Sequence, residues 1–135
     1  MSAAIEIDTN KQRLDVPFIH EFISNSYWAA GRSIEEVQTG INHSLNFGVY
    51  LDGKQIGYAR LVTDYIQFAY LMDVFIDKNH RGKGYSKQLM KYMLEQKALS
   101  AVKVWRLATT DEQGLYAQFG FRPLAHPEKQ MELLR

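Results

Sequence analysis

The chain has 135 residues, 46% of them apolar, which suits one domain spanning 1–135 with a sizeable core. Sixteen basic against fifteen acidic residues leave a net charge of +1, so no nucleic-acid or membrane-surface partner is expected, since both call for a strong basic excess. The absence of cysteine excludes a disulfide framework, a Cys-ligated zinc and a thiol nucleophile, and no histidine spacing suggests a metal.

In chain order, a short strand is predicted around Ala4–Ile7. Asp15 reads as an N-cap, with Pro17 in the first turn and Phe18, Phe22 and Ile23 forming a helical stripe. Ser33 with Glu36 three residues later is a capping box, and Ile34, Val37 and Ile41 continue at helical spacing. Leu45, Phe47, Val49 and Leu51 alternate, Asp52-Gly53 is a hairpin signal, and the return strand runs from Ile56 to Val62. A central apolar strand begins near Ile66 and ends at Ile76. A helix is predicted over about Gly82–Gln96, its buried face formed by Tyr85, Leu89 and Met93. A strand over Val102–Ala108 and a short helix near Asp111–Gln118 follow, with two further strands at Phe121–Leu124 and Lys129–Leu134.

Residues 70–86 carry the strongest chemical signal. The strand is followed by a polar connection, Asp77-Lys-Asn-His80, and by Arg81-Gly-Lys-Gly84 leading into a helix. A strand, a glycine-bearing turn and a helix N-terminus make an anion site, because the first helical N–H groups lack partners and glycine lets a ligand approach. Arg81 and Lys83 favour phosphate. The loop is neither of two familiar phosphate loops: Lys83 lacks the following Ser or Thr of a P-loop, and Lys87 stands where the dinucleotide fingerprint needs glycine.

What the stretch resembles is the acyl-CoA loop of the GNAT superfamily of N-acetyltransferases, Gln/Arg-x-x-Gly-x-Gly/Ala, here on Arg81, Gly84 and Ser86. Serine departs from the last position but is small. Gly114-Leu-Tyr-Ala-Gln-Phe-Gly-Phe121 is similar to the family's second signature, a helix carrying a tyrosine and ending at Gly-Phe. The resemblance covers the C-terminal half and implies an α/β (α+β) fold of the GNAT-like acyl-CoA N-acyltransferase type, a mixed, mostly antiparallel sheet with helices on both faces. It implies an acetyl-CoA-dependent N-acetyltransferase that moves an acetyl group directly to a primary amine of a small molecule or peptide.

Under that resemblance, cofactor binding falls to Arg81, Gly82, Lys83, Gly84, Tyr85 and Ser86, and to backbone groups of Val74, Phe75 and Ile76. An N–H near Val74 would polarise the thioester carbonyl. Tyr116 matches the acid that protonates the leaving thiolate. Thr109 and Glu112 replace the family's usual asparagine and alanine before it, leaving Thr110 or Asp111 to cap the helix. Asp73, the ionisable residue inside the apolar run, is either the general base or a structural acceptor; Asp64, Glu21 and His20 are weaker bases. Tyr27, Trp28 and Tyr65, with Arg32 and Phe68 nearby, form either an acceptor wall or helix–sheet packing.

Two other readings stay open, a CoA-binding module without turnover and a nucleotide-binding domain of another fold. The exposed end of the predicted sheet leaves a homodimer open. Met1-Ser-Ala-Ala-Ile-Glu lacks the basic start and apolar stretch of a signal peptide, and no segment has bilayer length, so a cytoplasmic protein is expected.

Overall fold

A computed structural model describes residues 4–135. Five strands, β1 (Glu6–Asp8), β2 (Leu45–Leu51), β3 (Lys54–Thr63), β4 (Phe68–Ile76) and β5 (Val104–Arg106), form one sheet in the order β1-β2-β3-β4-β5. The first four pair antiparallel, and β5 lies parallel to β4. Helices α1 (Val16–Ser24) and α2 (Ile34–Asn42) cover one face, and α3 (Tyr85–Leu94) covers the other. The sheet is therefore mixed and mostly antiparallel, flanked on both sides.

Local chemistry sets most boundaries. The Asp15 carboxylate accepts from the Phe18 N–H, and the Ser33–Glu36 capping box is formed in both directions. Asp52 and Gly53 both have positive φ, as the tight hairpin requires. β4 starts at Phe68 rather than Ile66 because Asp64 Oδ1 accepts from the N–H groups of Ile66, Gln67 and Phe68. That side chain holds the turn and delays the ladder. The first strand starts at Glu6, two residues later than Ala4.

A bulge interrupts β4. Tyr58 pairs with Phe75 and Arg60 with Met72, so one β3 residue, Ala59, faces two on β4, Asp73 and Val74. Asp73 takes the left-handed conformation, φ 56°, which aspartate tolerates better than most residues. Residues four apart on a regular strand share a face. Here Leu71 packs with Leu89 and Met90 under α3, whereas Phe75 packs with Ile19, Ile23 and Tyr58 under α1 and α2. The extra residue has turned the second half of the strand over.

Two expected strands are absent. Residues 121–124 and 129–134 form no strand, and Met131, Leu133 and Leu134 are 98%, 78% and 80% exposed. β5 spans three residues instead of seven because the chain leaves the sheet at Leu107, so the tail has little edge to extend. One side-chain bond, from Arg106 Nη1 to Gln130 Oε1 at 2.6 Å, links the tail to β5. Among the described residues no helix is long and apolar enough to cross a membrane.

Candidate active site

The departure of β5 opens the site. β4 and β5 pair only over Phe68–Tyr70, and beyond that point they diverge. The gap between Leu71–Ile76 and Leu107–Thr110 widens into a cleft of about 1220 Å³, closed at one end by α3's approach loop and flanked by α1 and by α4 (Gln113–Ala117).

At the loop end, Gly82 and Gly84 have φ of 77° and 79°, and a Cβ on either would meet nothing within 4 Å. Glycine is therefore needed for backbone conformation, and the space in front of it is open. Gly84 is the N-cap of α3 and provides no side-chain cap. The amides of Tyr85, Ser86 and Lys87 thus lack helical and side-chain acceptors at the positive end of the helix dipole. Arg81 folds back: its Nε donates to the Ile76 carbonyl at 3.1 Å, and its guanidinium lies 6.0 Å from the Phe22 ring centre. Arg81, Gly82, Gly84, Tyr85 and Ser86 all line the cleft, but Lys83 does not; Lys87, one helical turn on, supplies the second cation.

A Gly84→Glu substitution tests this geometry. Acetyl-CoA affinity is expected to fall more than a hundredfold in an isothermal titration. Gly84→Ala, which carries only the left-handed strain of about 1–3 kcal/mol, should lose far less.

Tyr116 also lines the cleft. The N-cap of α4 is Glu112, with no side-chain cap bond, so neither Thr110 nor Asp111 caps the helix; the Thr109 hydroxyl accepts from the Glu112 N–H at 3.1 Å just ahead of it. The Tyr116 ring packs edge-on against Phe121, and its residue is 8% exposed. Burial, with smaller contributions from Glu112 and Tyr27, pushes the phenol up to about 12. The hydroxyl thus keeps its proton at neutral pH, as a donor must.

Asp73 lines the cleft as well, its side chain 2% exposed. Trp28 Nε1 donates to Oδ1 at 3.0 Å; Arg32 Nη1 and Arg60 Nε each donate to Oδ2 at 2.9 Å. Both carboxylate oxygens are therefore engaged. Arg60 also donates to Ser44 Oγ at 3.1 Å and approaches the Met72 sulfur. Gly40 lets α2 pass close over it, since a Cβ there would sit 3.2 Å from Arg60 Nη1.

Val74, Phe75 and Ile76 border the cleft, although the Phe75 ring itself is buried and stacks on Phe22 at 3.9 Å. Tyr27 and Trp28 line the cleft and are exposed, meeting edge to face. Tyr65 does not belong with them. It occupies the β3–β4 turn with φ 66°, at the far end of β4, outside the cleft lining, and Phe68 is likewise outside. Tyr65 is close in sequence to the central strand, but the cleft opens at that strand's C-terminal half. Arg60 is a lone charge inside an apolar stretch of strand, but its register partner is Met72, and it is the bulge that brings Asp73 to it.

The sequence profile described as the acetyltransferase (GNAT) domain matches residues 42–123. The chain belongs to the GNAT superfamily. A GNAT-family protein of Xanthomonas campestris pv. campestris has 40% identity and superposes with TM-score 0.96, covering 100% of this chain and 96% of the other. More distant folds agree. A Clostridium acetobutylicum protein crystallised with acetyl-CoA gives TM-score 0.70 at 11% identity, covering 98% and 96%. The N-acetylglutamate synthase of Neisseria gonorrhoeae, solved with coenzyme A and N-acetyl-glutamate, gives 0.73 at 19% over 95% of this chain and 30% of that one. The GNAT fold is thus established, and the second signature's tyrosine stands at its cleft.

Proposed function

We propose that this GNAT protein transfers an acetyl group from acetyl-CoA to a primary amine. The observation that carries the reading is one cleft lined both by uncapped helix amides and by a buried, protonated phenol. The residues present fit the cosubstrate: the loop leaves open space in front of two left-handed glycines, and α3 offers free donors to a diphosphate. When bound, acetyl-CoA supplies the thioester whose acetyl group passes to nitrogen.

The chain's own residues divide the work. The amides of Tyr85, Ser86 and Lys87 hold the phosphate charge, with Lys87 and Arg81 adding to the field. Backbone groups of Val74–Ile76 align the pantetheine arm. A bulge leaves its extra residue outside the ladder, so an N–H at Asp73–Val74 is available to polarise the carbonyl. The new C–N bond forms as the C–S bond breaks, and Tyr116 donates its hydrogen bond to the departing sulfur. Full transfer from a phenol near 12 to a thiolate whose acid is near ~8.5 is uphill. The proton released by the acetylated nitrogen therefore replenishes sulfur or phenol, leaving the balance neutral. Asp73 serves as a fastener rather than a base, since its oxygens already accept three bonds.

Thermal unfolding with acetyl-CoA, ATP or NAD tests the reading, followed by CoA release with an amine panel. At a hundred times its dissociation constant acetyl-CoA adds about 2.7 kcal/mol and should raise the midpoint on the order of 10 °C. A shift with ATP instead would refute it. Acetyl-CoA protection with no amine turned over would leave a CoA-binding module without catalysis.

A further inference from the structure

Two guanidiniums meet one carboxylate at the wall of the cleft. Arg32 and Arg60 both bind Oδ2 of Asp73, so the buried cluster holds one surplus positive charge. Arg60 is consumed by it, with Nε on Asp73, Nη1 on Ser44 and Nη2 near the Met72 sulfur. Arg32 is different. A guanidinium has five N–H donors, and a single side-chain bond, from Nη1 to Asp73, is made among the described residues. Arg32 lines the cleft, its side chain only 21% exposed, and its backbone is pinned by His20 Nε2 on its carbonyl at 3.0 Å and by the Arg32 N–H to the Ala29 carbonyl. Trp28, locked on the other Asp73 oxygen, forms the adjoining wall.

The negative groups nearby do not consume the surplus. Glu36 Oε1 is taken by the Ser33 N–H in the capping box; Glu35 and Glu36 share with Arg32 a hollow on the α2 side, but neither forms an ion pair with it among the described residues. On the cleft side Glu21 is on the wall but makes no ion pair with Arg32. A fixed, half-desolvated fork with free donors is suited to a planar anion, and a carboxylate matches it in two parallel bonds.

We propose that the acceptor is an amine that also carries a carboxylate, of the amino-acid class, and that Arg32 binds that carboxylate from within the cleft. This rests on the acetyl-transfer reading for the amine but not for the anion. Arg32 is then a specificity residue: it orients the molecule by its acid end so that nitrogen faces the bulge of β4. A purely cationic amine would meet the surplus charge and be repelled.

The test compares matched pairs: the twenty L-amino acids against their carboxamides, as acceptors in CoA release. Wild-type protein is expected to prefer the acids by roughly 10- to 100-fold in kcat/KM, the worth of a charged hydrogen-bond pair. Arg32→Gln should erase the preference while keeping acetyl-CoA affinity, and Arg32→Lys should restore part of it. A parallel measurement needs neither turnover nor a variant: thermal protection of the CoA-loaded wild type by N-acetyl amino acids against their amides. Amides used as well as acids, or protecting as well, would overturn the proposal. Loss of acetyl-CoA protection itself would strike the acetyl-transfer reading instead, and protection of the free protein by N-acetyl amino acids over amides would still support Arg32 as an anion site.

Discussion

Tyr116→Phe is expected to lower kcat by about a hundredfold or more, within the span of positioned acid catalysis, while acetyl-CoA affinity stays within a few fold. The ring would keep its contact with Phe121, because only the hydroxyl is removed. A loss confined to kcat marks an interaction made as charge develops on sulfur. The same variant has a second readout. A phenol raised from 10 to about 12 by burial favours folding in its neutral form; the native state holds its proton between those values while the unfolded chain releases it. Stability is therefore intact below pH 10 and falls as pH rises toward 12. Phenylalanine has no proton to lose, so its urea midpoint should decline less over that window. Unchanged turnover would remove Tyr116 from the chemistry.

Asp73→Ala is expected to be the most damaging single change to stability, about 3–5 kcal/mol, because it leaves two guanidiniums and an indole N–H without their acceptor. The partial exposure of Arg32 and Arg60, 21% and 14%, favours the lower part of that range. Alanine also fits the left-handed backbone poorly, whereas Asp73→Asn keeps that tolerance and one acceptor oxygen, and should lose about half as much. Urea unfolding measures both. Near-wild-type stability in Asp73→Asn, together with loss of the basic limb of the pH–rate profile, would instead identify Asp73 as the base.

What was legible in the sequence was what neighbouring residues decide among themselves. Asp15, the Ser33–Glu36 pair, Asp52-Gly53 and the glycines of the loop act within a few positions, and each did what its local chemistry dictates. The glycine-bearing loop before α3 and Tyr116 were readable as patterns, and both border the cleft. Contacts that span the chain were not. Asp73 meets Trp28 and Arg32 across 45 and 41 residues, and nothing in an apolar run announces a bulge that turns Asp73 toward them. Lys83 and Tyr65 lie outside the cleft lining for a shared reason: adjacency in sequence names the element but not the side or end of it that faces the cleft. The tail is a different case. Its apolar residues promise strands, but a strand needs an edge, and β5 offers three residues of it.

The bulge also constrains how this chain can change length. Because it turns β4 over, Leu71 and Phe75 serve opposite layers, and the number of residues between them is fixed. Removing one would swing Phe75 out of its aromatic stack and into the α3 layer, inverting the strip that borders the cleft. Surface turns such as Asp52-Gly53 can lengthen without such consequences. An interior strand of nine residues is here effectively two short ones welded at a fixed joint, and the joint, more than either half, is what inheritance must copy without insertion or loss.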